Sequence, residues 1–192
     1  GPETQGDNAP KCWAELDGGG GYRAIRELRD SGEVGAIGLG VNEWEILMKA
    51  FELGDWDVFL LAGRYTLLEQ TSLSPFLETC LQRSASIICG GPFNSGLLVG
   101  GTTYNYEPAP KPLLDKVAAI SKVCADHGVN LPAAALQFPL GHPSVCSVLP
   151  GPRTVAEFDQ ITAWWSEEIP EQLWSDLVSA GLIDSRAPLP TA

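Results

Sequence analysis

The sequence predicts an α/β protein in which parallel (β/α) units follow one another, and three observations carry that expectation. Four short apolar runs are bounded by Gly, Asp, Ser or Pro, the pattern of strands buried in a parallel sheet. An amphipathic helical segment separates each run from the next, which makes right-handed βαβ units. With 44% apolar and 19% charged residues over 192 positions, the chain has material for one core and lacks the composition of a disordered segment. An open doubly wound sheet and part of a (β/α)8 barrel both satisfy this pattern.

Residues 1–12 read as a flexible lead-in, polar and rich in Pro and Gly at its start. A helix is expected over 14–30, with Leu16, Tyr22, Ile25 and Leu28 on one face and a stop at Ser31-Gly32. Glycines at 18–21 cost a helix roughly 1 kcal/mol each, so its firm part begins after them. Val34-Gly-Ala-Ile-Gly-Leu39 reads as the first strand, followed by a helix from Asn42-Glu43 through Leu53 that Gly54 stops. Asp57-Val-Phe-Leu-Leu61 is the second strand, Ser74-Pro75 starts a helix to Arg83, and Ser86-Ile-Ile-Cys-Gly90 is the third strand. Residues 91–112 form a long loop holding Tyr104, Asn105 and Tyr106. A helix from Leu113 to His127 ends at Gly128, and a shorter one starts at Pro132. Val145-Cys-Ser-Val-Leu149 is the fourth strand, closed by Pro150-Gly151, with helices over 154–165 and 171–180 after it.

Charge narrows the partners. Acidic residues outnumber basic ones 24 to 12 and no basic run exists, whereas phosphodiester binding needs clustered Lys and Arg, so neither nucleic acid nor an anionic membrane is expected. No apolar stretch reaches the ~20 residues that span a bilayer, and no charged-then-apolar leader opens the sequence, so the expectation is a soluble cytoplasmic protein. Cys12, Cys80, Cys89, Cys124 and Cys146 contain no CxxC pair and read as buried, reduced thiols. His127 and His142 lack cysteine at ligand spacing, so no metal site is expected.

Two strand-to-helix turns carry chemistry. In Gly90-Gly-Pro-Phe-Asn-Ser-Gly96 the glycines let backbone N–H groups approach an anion, and Asn94 and Ser95 add side-chain donors; the same composition also makes an ordinary turn. In Pro150-Gly-Pro-Arg-Thr154, Thr154 caps the next helix and Arg153 supplies a cation beside it. Turns after the last two strands of a parallel βα series are where (β/α)8 barrels commonly build a phosphate site. A dinucleotide fingerprint fails, because Gly38-Leu-Gly40-Val-Asn-Glu43 lacks the third glycine. His127 caps a helix end, His142 sits in a loop, and neither accompanies a nucleophile elbow. Arg64 and Tyr65 fall at the C-terminal end of the second strand, on the functional rim or as cover for the strand end, and Trp164, Trp165 and Trp174 read as packing residues.

Six blocks in order resemble the aldo/keto reductase superfamily, within it the branch of D-threo-aldose 1-dehydrogenases, L-fucose dehydrogenases and pyridoxal dehydrogenases. They begin at Gly21-Tyr-Arg-Ala-Ile-Arg, Ala36-Ile-Gly-Leu-Gly-Val-Asn-Glu-Trp44, Leu60-Leu-Ala-Gly-Arg-Tyr, Gly90-Gly-Pro-Phe-Asn-Ser-Gly-Leu-Leu98, Ala135-Leu-Gln-Phe-Pro-Leu140 and Leu149-Pro-Gly-Pro-Arg153. The resemblance implies the second half, strands five to eight, of a TIM-type (β/α)8 barrel, a single partial domain over 1–192 that binds NAD or NADP. It places the cofactor pyrophosphate on Gly91, Pro92, Phe93, Asn94 and Ser95, the adenosine phosphate end on Gly151, Arg153 and Thr154, and the carboxamide near Asn42. The family's nicotinamide-stacking aromatic falls at Gly90, its strand-six glutamine at Ala62 and its adenine-contacting asparagine at Ile161. Its tyrosine acid, with the surrounding lysine, aspartate and histidine, belongs to the first four βα units. The expectation is therefore the cofactor-binding half of an NAD(P)-dependent enzyme that oxidises an aldose or reduces an aldehyde, inactive alone and without a catalytic residue of its own. The partner is then a missing N-terminal half. Self-association is the alternative, a half-barrel acting as a non-catalytic nucleotide-binding or interaction module.

Overall fold

A computed structural model of the chain describes residues 8–105 and 107–191, so Tyr106 and the first seven positions of the expected lead-in lie outside the described residues. Helices α1 (Ala9–Leu16) and α2 (Gly21–Asp30) lead into β1 (Gly38–Val41), α3 (Trp44–Ala50) and β2 (Val58–Ala62). A helical turn Leu73–Leu77, broken by extended Ser74, continues as α4 (Glu78–Gln82) into β3 (Ser86–Gly90). The short strands β4 (Thr103–Tyr104) and β5 (Glu107–Pro108) form a hairpin, followed by α5 (Lys111–Asp126), α6 (Leu131–Gln137), β6 (Val145–Leu149), α7 (Val155–Trp165) and α8 (Glu171–Ser179). The main sheet has the order β1-β2-β3-β6 and every pair is parallel, as the alternating pattern requires. Among the described residues no helix is long and apolar enough to cross a membrane.

Three expectations change over the first 41 residues. Residues 9–12, expected in the lead-in, are helical: Pro10 sits in the first turn, where its missing N–H costs nothing, and Trp13 and Leu16 pack on the core. The helix expected over 14–30 is two helices, because Gly20 adopts φ 83° and a Cβ at Gly19 would lie 2.6 Å from the Glu15 carbonyl oxygen. The first strand begins four residues later than expected. Glu33 and Val34 give their N–H groups to the Leu28 carbonyl, finishing α2, so only the Gly38 end of the apolar run pairs with β2. At Gly38 a Cβ would fall 1.8 Å from the Val58 carbonyl oxygen, so this edge accepts only glycine.

The two faces of the sheet differ. Phe59, Leu61, Ile87 and Cys89 are buried against the helices, and Phe59 meets Phe51 edge-on at 5.2 Å, with Phe76 and Trp56 each at 5.9 Å. The alternate residues Val58, Leu60, Ala62 and Ile88 are only half-buried, Ser147 is exposed, and Leu149 is 52% exposed. The thiols follow the same division: Cys80, Cys89 and Cys124 are buried, whereas Cys12 and Cys146 are exposed, contrary to the expectation of five buried thiols. Cys146 is the extra residue of a bulge, since Ile87 pairs with Val145 and Ile88 with Ser147.

Candidate functional site

Strands β3 and β6 end in register, Gly90 opposite Leu149, so the turns that follow them stand side by side at the C-terminal end of a parallel sheet. Such ends are where α/β folds build ligand sites. Gly91, Asn94 and Ser95 adopt positive φ of 59°, 47° and 58°, which curls the first turn tightly. The N–H groups of Gly91, Asn94 and Gly96 are given to backbone carbonyls; among the described residues those of Phe93 and Ser95 are not. Together the two turns and the facing side of α7 enclose a cleft of about 610 Å³.

Of the residues expected to bind a cofactor, Gly91, Pro92, Phe93, Ser95, Gly151 and Arg153 line this cleft. Three do not. Asn94 is buried and its amide is turned inward, with Oδ1 accepting from the Thr66 hydroxyl at 2.7 Å and Nδ2 donating to the Gly63 carbonyl at 3.2 Å. It ties the turn after β3 to the end of β2 and belongs to the frame of the cleft. Thr154 caps α7, its hydroxyl accepting the Glu157 N–H at 3.1 Å, as its sequence position predicts. Asn42 follows β1 at the far edge of the sheet, two strands from β3.

The face of α7 supplies lining that turn chemistry alone did not reveal. Glu157, Gln160, Ile161 and Trp164 recur at i, i+3, i+4 and i+7 and all face the cleft. Trp164 meets Phe93 edge-on at 6.0 Å, so this tryptophan, read from sequence as packing, forms an aromatic wall. Arg153 does not stand free. Its guanidinium donates to Glu157 Oε1 at 2.9 Å and its backbone N–H to Oε2 at 2.7 Å. The N–H and then the guanidinium hold the Glu157 carboxyl below its usual range.

Other rim candidates are structural. Tyr65 covers the end of β2, packed against Phe138 at 5.5 Å and edge-on to His142 at 5.6 Å, and burial pushes its phenol well above the usual range. Burial likewise lowers the His142 pKa, and its Nδ1 accepts the Ser144 N–H at 3.2 Å. His127 ends α5 as expected and meets Asp176 of α8 at 2.8 Å. Arg64 is buried beside Glu69 at 3.7 Å and donates to Asn105 at 3.3 Å; Tyr104 donates to Glu69, so the loop after the cleft is tied to the end of β2.

A family model described as the aldo/keto reductase family matches residues 19–181. The chain belongs to this family. The pyridoxal 4-dehydrogenase of Microbacterium luteolum is 40% identical to this aldo/keto reductase over 184 residues, which cover 94% of this chain and 54% of that protein. The D-threo-aldose 1-dehydrogenase of a Pseudomonas species is 38% identical over 167 residues, 84% of this chain and 51% of the relative. The chain thus spans about half the length of these relatives. Among solved structures, an aldo-keto reductase of Bacillus halodurans in its apo form superposes with a TM-score of 0.65 at 16% identity, over 86% of this chain and 56% of that one. The glycerol dehydrogenase of Gluconobacter oxydans gives 0.61 at 16% identity, over 88% and 54%. At that identity the likeness concerns the fold.

Proposed function

We propose that this aldo/keto reductase chain is the cofactor-binding, C-terminal part of an NAD(P)-dependent oxidoreductase that oxidises an aldose or reduces an aldehyde, contributing strands five to eight of a (β/α)8 barrel. One observation carries the reading: two phosphate-type turns, after adjacent parallel strands, line a single cleft. The cleft also suits the group chemically. Among the described residues the N–H groups of Phe93 and Ser95 are not given to backbone carbonyls, they stand on a turn with left-handed residues, and an aromatic wall of Phe93 and Trp164 adjoins them.

A bound nicotinamide dinucleotide supplies the hydride acceptor or donor. The chain's own residues hold it. Phe93 and Ser95 N–H groups would take pyrophosphate oxygens, Gly91 leaves room for close approach, and Gly151 and Arg153 would meet the adenosine end, with Asn42 toward the carboxamide. Asn94 and Thr154 act on the cofactor indirectly, by fixing the two turns.

Hydride transfer needs a positioned proton donor to balance it. Tyr65 and His142 are packed into the fold outside the cleft lining; the family resemblance assigns that donor to strands one to four, and the chain alone is expected to show no turnover. The uncovered sheet face, with Leu149 exposed and Leu60 and Ile88 half-buried, favours a partner, either the N-terminal half or a second copy.

Calorimetry of the purified chain with each cofactor tests the cleft; binding is expected, weakened by Arg153→Ala, and no heat with either cofactor rejects it. Dinucleotide-dependent oxidation of L-fucose or D-arabinose by chain free of full-length enzyme would overturn the expected inactivity. Light scattering that finds a clean monomer at high concentration would reject self-association.

A further inference from the structure

Helix α7 lines the cleft with one face and leaves a second face uncovered. Val155 is 77% exposed, Phe158 58% and Trp165 48%, with exposed Thr162 between the two aromatic residues. No residue of this helix is buried, and among the described residues no other helix presents more than one exposed large apolar side chain. The four positions follow the 3-4-3 spacing of a two-helix seam, the a and d places of a heptad. The Thr162 hydroxyl donates to the Phe158 carbonyl at 3.0 Å, so covering Thr162 strands no hydroxyl.

That spacing reads the same from either end of the helix, being symmetric about Gln160. A second α7 laid antiparallel across the first sets Trp165 against the partner's Val155 and Phe158 against the partner's Thr162, a large side chain beside a small one in every layer. A two-fold pair requires such self-complementarity, and an unrelated partner does not. The three apolar side chains of two copies would bury roughly 700 Å², and the flanking positions bring the contact to on the order of 1,000 Å², the range of weak, reversible association. Asp159 flanks the stripe and would lie on the same side of the seam as the partner's Asp159, a like-charge approach that weakens the pair further.

We infer that α7 is a self-association surface: two copies of the chain pair through antiparallel α7 helices about a two-fold axis, with Val155, Phe158, Thr162 and Trp165 in the seam. The inference does not rest on the dinucleotide reading. Glu157, Gln160 and Trp164 line the cleft from another face of the helix, so seam and cleft do not compete.

Sedimentation equilibrium of the full chain tests the pairing, and a monomer–dimer equilibrium with a dissociation constant on the order of 10 μM is expected. Phe158→Asp should weaken association at least about tenfold while the thermal melting midpoint stays in place, because this side chain is exposed. Asp159→Asn should tighten it about threefold, and added sodium chloride should tighten the unaltered pair in the same direction. Register is read by cross-linking in a Cys12→Ser, Cys146→Ser background, since those two thiols are exposed. A mixture of Phe158→Cys and Thr162→Cys chains under oxidised glutathione should form the mixed disulfide in preference to either symmetric one. A chain that stays monomeric throughout overturns the inference and assigns the stripe to another polypeptide, such as an N-terminal half. A dimer untouched by both Phe158→Asp and Asp159→Asn overturns it in favour of pairing through the uncovered sheet face. Neither result bears on dinucleotide binding, which calorimetry reads separately.

Discussion

The two turns that line the cleft are built on opposite plans. The first is anchored from within: Asn94 is buried, and its amide binds Thr66 and Gly63, residues of the neighbouring strand end. The second is anchored from outside, by the exposed Arg153, the cap of Thr154 and the carboxylate of Glu157, all within five residues. A turn tied into the core holds its geometry through neutral, water-excluded bonds. A surface turn tied by charge holds it only while the charges persist.

The largest effect should come from breaking the inner anchor. Asn94→Ala leaves the Thr66 hydroxyl and Gly63 carbonyl short of a partner and puts alanine at φ 47°, so a loss of about 3 kcal/mol is expected in urea unfolding, with dinucleotide binding lost. Thr154→Ala removes only a helix cap and should cost about 1 kcal/mol. Equal losses in these two variants would erase the distinction between the turns.

Acid should separate them next. The folded-state pKa of Glu157 is depressed, so its tie is complete above the unfolded carboxylate pKa and is lost as pH falls through the folded value. Amide chemical shifts of Arg153 and Glu157 are expected to move between pH 5 and about 3, in the titration range of carboxylates, while those around Asn94, whose partners do not titrate, stay put. Co-titration of both turns would show them to be one unit. The smallest effect is that of Arg153→Ala on stability, with the thermal melting midpoint expected to stay essentially where it is, because the pair with Glu157 is largely solvated.

The same contrast explains what the sequence disclosed. The third and fourth strands are legible because runs such as Ser86-Ile-Ile-Cys-Gly90 and Val145-Cys-Ser-Val-Leu149 are apolar and sharply bounded. The first is displaced because its beginning is spent on closing α2, an interaction of Leu28 that no periodicity announces. The cap at Thr154 was legible for the opposite reason, since its partner lies three residues away. That Asn94 would be polar and useful could be read, but not its direction, because its partners are 28 and 31 residues distant. The lining side of α7 is present as a 157, 160, 161, 164 helical spacing, which the composition of the turns does not signal.

The main sheet also limits how it can be extended. Its four strands all run in one direction, and among the described residues β1 leaves one edge unpaired and β6 the other. A hairpin cannot extend such a sheet and preserve its direction, since the second strand of a hairpin returns the opposite way; each parallel addition needs a crossover of a dozen or more residues. Growth at either margin that keeps the sheet parallel therefore comes as whole strand-and-helix modules, each arriving with the cover for its own outer side.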